Sequence, residues 1–140
     1  KLKKGKCIVG SAENFQINQK YDIIWMSHVL EHIIKLESFL EKIKNNLKDD
    51  SVFFIEVPNC ENKSTLETSI NLVPHIFHFS QESLKNIVTK SGYKIIKIDY
   101  FRPATKLEGI IQKISKKFPY YPRIKTNNKD GIFLRILLRK

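Results

Sequence analysis

Apolar residues along this chain alternate between short continuous runs and stripes at helical spacing. Lys6-Cys7-Ile8-Val9-Gly10 is a brief run closed by glycine, which predicts a strand over 6–10 stopped by a loop. Tyr21-Asp22-Ile23-Ile24-Trp25-Met26 is continuous rather than alternating, as expected for a strand buried on both faces of a parallel sheet. Leu36, Phe39, Leu40, Ile43 and Leu47 then fall on one face of a helix. Lys48-Asp49-Asp50-Ser51 supplies a turn, and Val52-Phe53-Phe54-Ile55-Glu56-Val57 a third strand, closed by Pro58. Residues 59–74 are polar without a clear period and read as a loop or lid. Ser80 suits an N-cap, Leu84, Ile87 and Val88 form an apolar face, and Gly92 stands at the C′ position, so a helix spans that stretch. Residues 93–101 and 131–138 are two more strands. Between them Leu107, Ile110, Ile111, Ile114 and Phe118 hold helical spacing until Pro119-Tyr120-Tyr121-Pro122 ends it. Strands alternating with helices in this order predict an α/β domain, with helices covering a mostly parallel sheet and ligands bound outside the carboxyl ends of the strands.

Composition narrows the picture. At 140 residues and 41% hydrophobic, the chain has enough apolar material for one globular core and too much for a disordered tail. Its formal charge of +11 is uneven. Residues 21–60 hold 4 basic and 7 acidic side chains, whereas residues 101–140 hold 11 basic and 2 acidic. That split separates a slightly acidic middle, where chemistry is sought, from a basic end suited to an anionic partner. Cys7 and Cys60 share no metal or redox spacing, so a reducing cytoplasm is expected. No apolar run approaches the roughly 18 residues that span a bilayer. The chain begins without Met, inside a basic run, and reads as a fragment.

The expected strand ends carry Ser11-Ala12-Glu13-Asn14-Phe15, then Ser27-His28-Val29-Leu30-Glu31-His32, and, after Val57, Pro58-Asn59 followed by Pro74-His75-Ile76-Phe77-His78-Phe79. The run from Tyr21 to Ile33 resembles the fourth-strand motif of class I S-adenosylmethionine-dependent methyltransferases, in the small-molecule groups with an L-E-H signature. Glu56-Val57-Pro58-Asn59, His75, Phe79, Ser83-Leu84 and Gly92-Tyr93 follow in that family's order. The likeness covers Gly10 to about Phe101. It implies a Rossmann-like methyltransferase three-layer sandwich with an antiparallel C-terminal edge, of which residues 1–140 are the C-terminal part of a single domain. The family's N-terminal strands, glycine-rich loop and ribose-binding acid have no counterpart here, and residues 101–130 form a basic insertion before the last strand. With two strands absent, a strand at 6–10 has to pair elsewhere or sit loosely, leaving a sheet edge exposed.

The same resemblance implies S-adenosylmethionine as cofactor, with Ser11 and Ala12 near the adenine and Met26, Ser27 and His28 facing its methionine part. Ser11 departs from the usual Asp at its position. His28-Val29-Leu30-Glu31-His32 also matches the H-x-x-E-H pattern of inverted zinc peptidases, but it follows directly on a buried strand and no distal ligand helix is evident. Similarity to the small-RNA 3′-terminal 2′-O-methyltransferases implies a divalent metal on Glu31, His32 and His75. Three readings of these histidines stay open: ordinary packing, a general base at His32 or His75, and metal ligation. The expected partner is a small-molecule acceptor, a saccharide or envelope precursor by resemblance to bacterial relatives. The alternative is a noncatalytic binding module. Residues 102–129 interleave cations with aromatics and suit either a solvated face or an anionic membrane surface. No recognisable motif favours nucleic acid.

Overall fold

The computed structural model describes residues 8–16, 19–72, 75–114, 123–127 and 129–140. Its elements are β1 (Tyr21–Ser27), a 3-10 turn (Leu30–His32), α1 (Leu36–Asn45), β2 (Leu47–Pro58), α2 (Lys63–Asn71), α3 (Gln81–Lys90), β3 (Lys94–Pro103), α4 (Lys106–Ile114), β4 (Arg123–Thr126) and β5 (Phe133–Arg139). Helices α1 and α3 and strands β1, β3 and β5 fall where the apolar pattern puts them. Several expectations need correction. Residues 8–10 form no strand and are exposed, and Lys6 and Cys7 lie outside the described residues. The supposed turn at 48–51 belongs to the span of β2: Tyr21 faces Leu47 and Ile23 faces Val52, so the extra residues bulge, held where the Ser51 hydroxyl donates to the Lys48 carbonyl at 2.6 Å. The supposed loop at 59–74 contains α2, and the basic segment contains β4. Phe118 and Pro119-Tyr120-Tyr121-Pro122 lie outside the described residues.

The sheet runs β1-β2-β5-β3-β4, with β1 parallel to β2 and the other three pairings antiparallel. It is mixed rather than mostly parallel; the C-terminal strands β5, β3 and β4 lie together at one end and pair antiparallel, with β5 inserted between β2 and β3. Burial explains that place. Leu134, Ile136 and Leu138 are all wholly buried, beside Phe53, Ile55 and Val57 of β2. Each such side chain contributes about 1.5–3 kcal/mol by leaving water, so an outer position would forfeit much of the strand's stabilisation.

Alpha1 supplies Leu36, Phe39, Leu40 and Ile43 to this core, and α3 supplies Leu84 and Val88. The Tyr93 hydroxyl donates to the Leu40 carbonyl at 2.8 Å, and burial pushes its pKa well up. Ser80 and Ser83 form a reciprocal capping box at the start of α3. At its end Gly92 takes φ 75°, and the amides of Gly92 and Tyr93 donate to the carbonyls of Thr89 and Val88, a Schellman closure that needs the left-handed residue. Alpha4 is less covered: Leu107, Ile110 and Ile111 are each more than half exposed. Among the described residues, no helix is long and apolar enough to cross a membrane.

Glu61 ties α3 and β3 to the turn at Lys129. Its Oε2 accepts from the Gln81 amide at the start of α3 and from the Tyr100 hydroxyl of β3, at 3.1 and 2.7 Å, while Lys129 reaches Oε1 at 3.0 Å. Burial alone would raise this carboxyl's pKa, but the Gln81 amide, the Tyr100 hydroxyl and the Lys129 cation together hold it below its ordinary value. A carboxyl depressed on folding stabilises the native state above its unfolded pKa and loses that contribution as pH falls through its folded pKa. Urea unfolding followed down through the acid range should therefore show a steeper loss of stability for the native chain than for Glu61→Gln, with the two curves converging at the acid end.

Candidate functional site

At the carboxyl ends of β1 and β2 the chain must turn away from the sheet, and the side chains there are mostly polar. Near the end of β2 stands Glu56, which is 1% exposed. A carboxylate removed from water in this way requires partners, and it has several. Ser27 of β1 donates to Oε1 at 2.8 Å, Arg135 of β5 contacts Oε2 through Nε at 2.6 Å, Arg123 of β4 pairs with Oε1, and His28 Nε2 stands 3.5 Å from Oε1. The guanidinium of Arg123 lies 4.0 Å from the Phe133 ring centre and that of Arg135 lies 4.2 Å from that of Phe101, so aromatic faces cover the cations. Burial lowers the pKa of both arginines, and that of Arg123 is lowered further by the charge of Arg135.

His28 continues β1 through an amide that donates to the Glu56 carbonyl at 2.9 Å, but its φ of 53° is left-handed, a conformation that costs a non-glycine residue about 1–3 kcal/mol. The turn diverts the chain into Leu30–His32 and brings Glu31 back beneath it, with His28 Nδ1 3.3 Å from Glu31 Oε1. Glu31 is 1% exposed, and neither of its carboxylate oxygens has a hydrogen-bond partner among the described residues. Its carbonyl accepts from the amides of Ile76 and Phe77 at 2.9 and 3.1 Å, which straps the 75–79 segment across the turn. Glu31, His32 and His75 consequently each offer a ligand atom within 4.8 Å of the others, and the His32 and His75 rings meet edge to face at 4.7 Å. Burial, more than any neighbour, holds the His75 imidazole below its ordinary pKa and so favours its neutral form.

Helix α2 closes this cluster. Asn62 caps it by accepting from the Thr65 amide at 3.0 Å, and the helix presents Ser64, Thr65, Thr68 and Ser69 toward the histidines. The Ser69 hydroxyl, 2% exposed, contacts Nδ1 of His75 and stands 3.0 Å from Nδ1 of His78. A cavity of about 420 Å³ is lined here by His28, Glu31, His32, Ser69, His75 and Phe133.

The residues assigned to a cofactor by resemblance do not all gather. Ser11, Ala12 and Met26 line a second cleft of about 610 Å³ with Phe15 and Gln19. His28 lines the first cavity instead, and the Ser27 hydroxyl is spent on Glu56. Glu31, His32 and His75 do come together. Sequence reasoning missed Glu56, Arg123, Arg135 and Ser69. The hydroxyl spacing 64, 65, 68, 69 is one helix face and was available as a signal, whereas the ion pairs, spanning 67 and 79 residues, left none.

A family model described as a methyltransferase domain matches residues 6–98. No curated protein matches the chain. Solved structures of S-adenosylmethionine-dependent methyltransferases share its fold. One from Thermotoga maritima is 19% identical with a TM-score of 0.66, covering 94% of this chain and 61% of that one. One from Archaeoglobus fulgidus is 21% identical, TM-score 0.60, with 87% and 60% covered. One from Clostridium acetobutylicum is 12% identical, TM-score 0.62, with 97% and 65% covered. The chain thus spans less than two thirds of the length of each.

Truncating Glu56 to Ala leaves two guanidiniums facing each other without their carboxylate. Glu56→Ala should lose about 3 kcal/mol of unfolding free energy, measured by urea denaturation, whereas Asp22→Ala, which breaks the exposed pair with Lys48, should change it by less than about 1 kcal/mol.

Proposed function

The chain belongs to the methyltransferase-domain family, and we propose that it contributes the acceptor side of a site that moves a methyl group from S-adenosylmethionine to a small molecule bearing a hydroxyl or amine. The observation that carries this reading is the convergence of Glu31, His32 and His75 on one cavity at the strand ends, with burial favouring the neutral form of His75. Bound S-adenosylmethionine would supply an electrophilic methyl on a sulfonium. The cleft of Ser11, Ala12, Phe15, Gln19 and Met26 suits part of it, an aromatic and an apolar surface beside polar groups for an adenine. Ser11 retains a hydroxyl proton to donate, since its oxygen accepts from the Glu13 amide. On the acceptor side His75 or His32 takes the proton that the acceptor must lose, and the Glu31 carboxylate balances the charge that the imidazole then carries. Ser27 and His28 serve through Glu56, which fixes the turn that aims this group. A saccharide or envelope precursor is the acceptor class to assay first.

A second reading is favoured by one feature, the buried Glu31 carboxylate whose oxygens lack a hydrogen-bond partner among the described residues. With His32 and His75 it forms a mixed carboxylate and imidazole set that would hold a divalent ion, the imidazoles favouring Mn²⁺ or Zn²⁺ over Mg²⁺. Such an ion would act on the acceptor oxygen as a Lewis acid in place of a general base.

Two measurements test these readings. In a protein carrying the whole domain, His75→Ala or His32→Ala should lower turnover about 10²- to 10⁴-fold, and unchanged turnover in both would sink the base. Calorimetry on the 140-residue chain should show weak or no binding of S-adenosylmethionine; titration with Zn²⁺ or Mn²⁺ gives a saturable heat that Glu31→Gln abolishes if the metal reading holds, and none if it does not.

A further inference from the structure

Helix α4 carries its apolar residues outward. Leu107, Ile110 and Ile111 fall at i, i+3 and i+4, one stripe of a helix, and each is more than half exposed. Ile114 extends the stripe by spacing. Among the described residues, none of α4 joins the buried core or packs against it. An amphipathic helix ordinarily turns such a stripe onto its sheet, so something holds this one the other way.

Glu108, the one acid of α4, supplies the restraint. It accepts from both ends of the Arg102 guanidinium, at 2.9 and 2.8 Å, and from the amide and hydroxyl of Thr105, at 2.8 and 2.9 Å, while the Thr105 hydroxyl accepts from the Glu108 amide at 3.3 Å. The reciprocal bonds with Thr105 form a capping box, and the paired bonds from Arg102 tie the first turn to the end of β3. Two residues on, at about 100° per residue, Ile110 faces nearly opposite to Glu108. Fastening the acid to the sheet therefore turns Ile110 away from it.

Charge says what the stripe meets. Residues 101–125 hold 7 basic side chains and 1 acidic, and that acid is already spent on Arg102. Lys106 is exposed beside the stripe, and Lys113, two turns on, falls on the same flank by spacing. We propose that α4 docks on an anionic lipid surface, with Leu107, Ile110 and Ile111 entering the boundary between head groups and acyl chains and the lysines meeting lipid phosphates. Protein interfaces are depleted in lysine. An anionic bilayer takes it, because the long stem lets the ammonium reach the head groups while the stripe sinks. The cap and the Arg102 pair order the helix beforehand, so little ordering is left to oppose docking. Beta3 pairs antiparallel with β5, and β5 with β2, so β3 runs parallel to β2 and α4 leaves the sheet at the end where the histidine cavity lies. Docking brings that end close to the bilayer, and neither it nor its test depends on methyl transfer.

Flotation of the 140-residue chain with vesicles reads this directly. The chain should rise with vesicles of equimolar phosphatidylglycerol and phosphatidylcholine and stay behind with phosphatidylcholine alone. A charge of +11 adsorbs to any anionic surface, so the apolar residues decide the matter. Ile110→Ser together with Ile111→Ser, which leaves every charge in place, should lower the bound-to-free ratio about tenfold or more. High salt should release what remains bound of that variant but only part of the native chain. Lys106→Gln together with Lys113→Gln should weaken binding to the anionic vesicles about tenfold or more. Since Ile110 and Ile111 are exposed, their replacement should leave the urea midpoint in place. Equal flotation of the Ser variant and the native chain, or flotation of neither, overturns the proposal. So does a lowered urea midpoint, which would show the stripe packed on the chain itself, or a native oligomer that the Ser variant dissolves to a monomer, which would show a protein contact.

Discussion

A buried carboxylate decides the shape of the working end of this molecule. Glu56, near the carboxyl end of the sheet's best buried strand, cannot remain there alone, and its partners come from three other strands: Ser27 of β1, Arg135 of β5 and Arg123 of β4. Each of these strands is thereby held in register at the same end of the sheet. The β1 terminus is held twice, because the His28 amide also bonds the Glu56 carbonyl. With that end fixed, the left-handed turn at His28 has no freedom to relax, and Glu31 is carried into the interior. The histidine cluster depends on this placement, since the Glu31 carbonyl is what straps residues 76 and 77 across the turn.

The site therefore divides into a scaffold and a working set. Glu56 has more partners than its charge requires, whereas Glu31, equally buried, has none of ordinary strength among the described residues beyond the 3.3 Å approach of His28. A structure that lavishes cations on one carboxylate and leaves its neighbour without a hydrogen bond is unlike one in which both merely fill space. Unsatisfied buried groups are rare enough that each calls for a cause, and the ligand proposed above would be one.

Much of this was legible from the chain, and the limits follow from what periodicity can carry. Alpha1 and α3 repeat apolar residues over several turns, and β5 over three alternations, so their patterns are long enough to read. Alpha2 has only Leu66 and Ile70 at helical spacing, and it is stabilised by the Asn62 cap and by what its hydroxyls touch, neither of which is a hydropathy signal. Beta4 is four residues long and owes its place to pairing with β3. The start of β2 carries Lys48-Asp49-Asp50, turn chemistry that the bulge against β1 absorbs. The position of β5 between β2 and β3 is a property of three strands together. For the site, Glu31, His32 and His75 were reached through the resemblance to a family, since no local window joins His75 to the other two, while Glu56 with Arg123 and Arg135 depends on strand order, which neither a window nor that resemblance supplied.

Strand β1 lies at one end of the strand order and pairs on one side only among the described residues. Its outward face shows Ile23 and Trp25, 66% and 64% exposed, the latter stacked on Phe54. The free side offers open backbone donors and acceptors next to a flat apolar surface, and the one ion pair beside it, Asp22 with Lys48, is exposed and weak. Among the described residues this edge is open to one more extended segment, and whichever segment takes that place would cover Ile23 and Trp25 and complete the ladder.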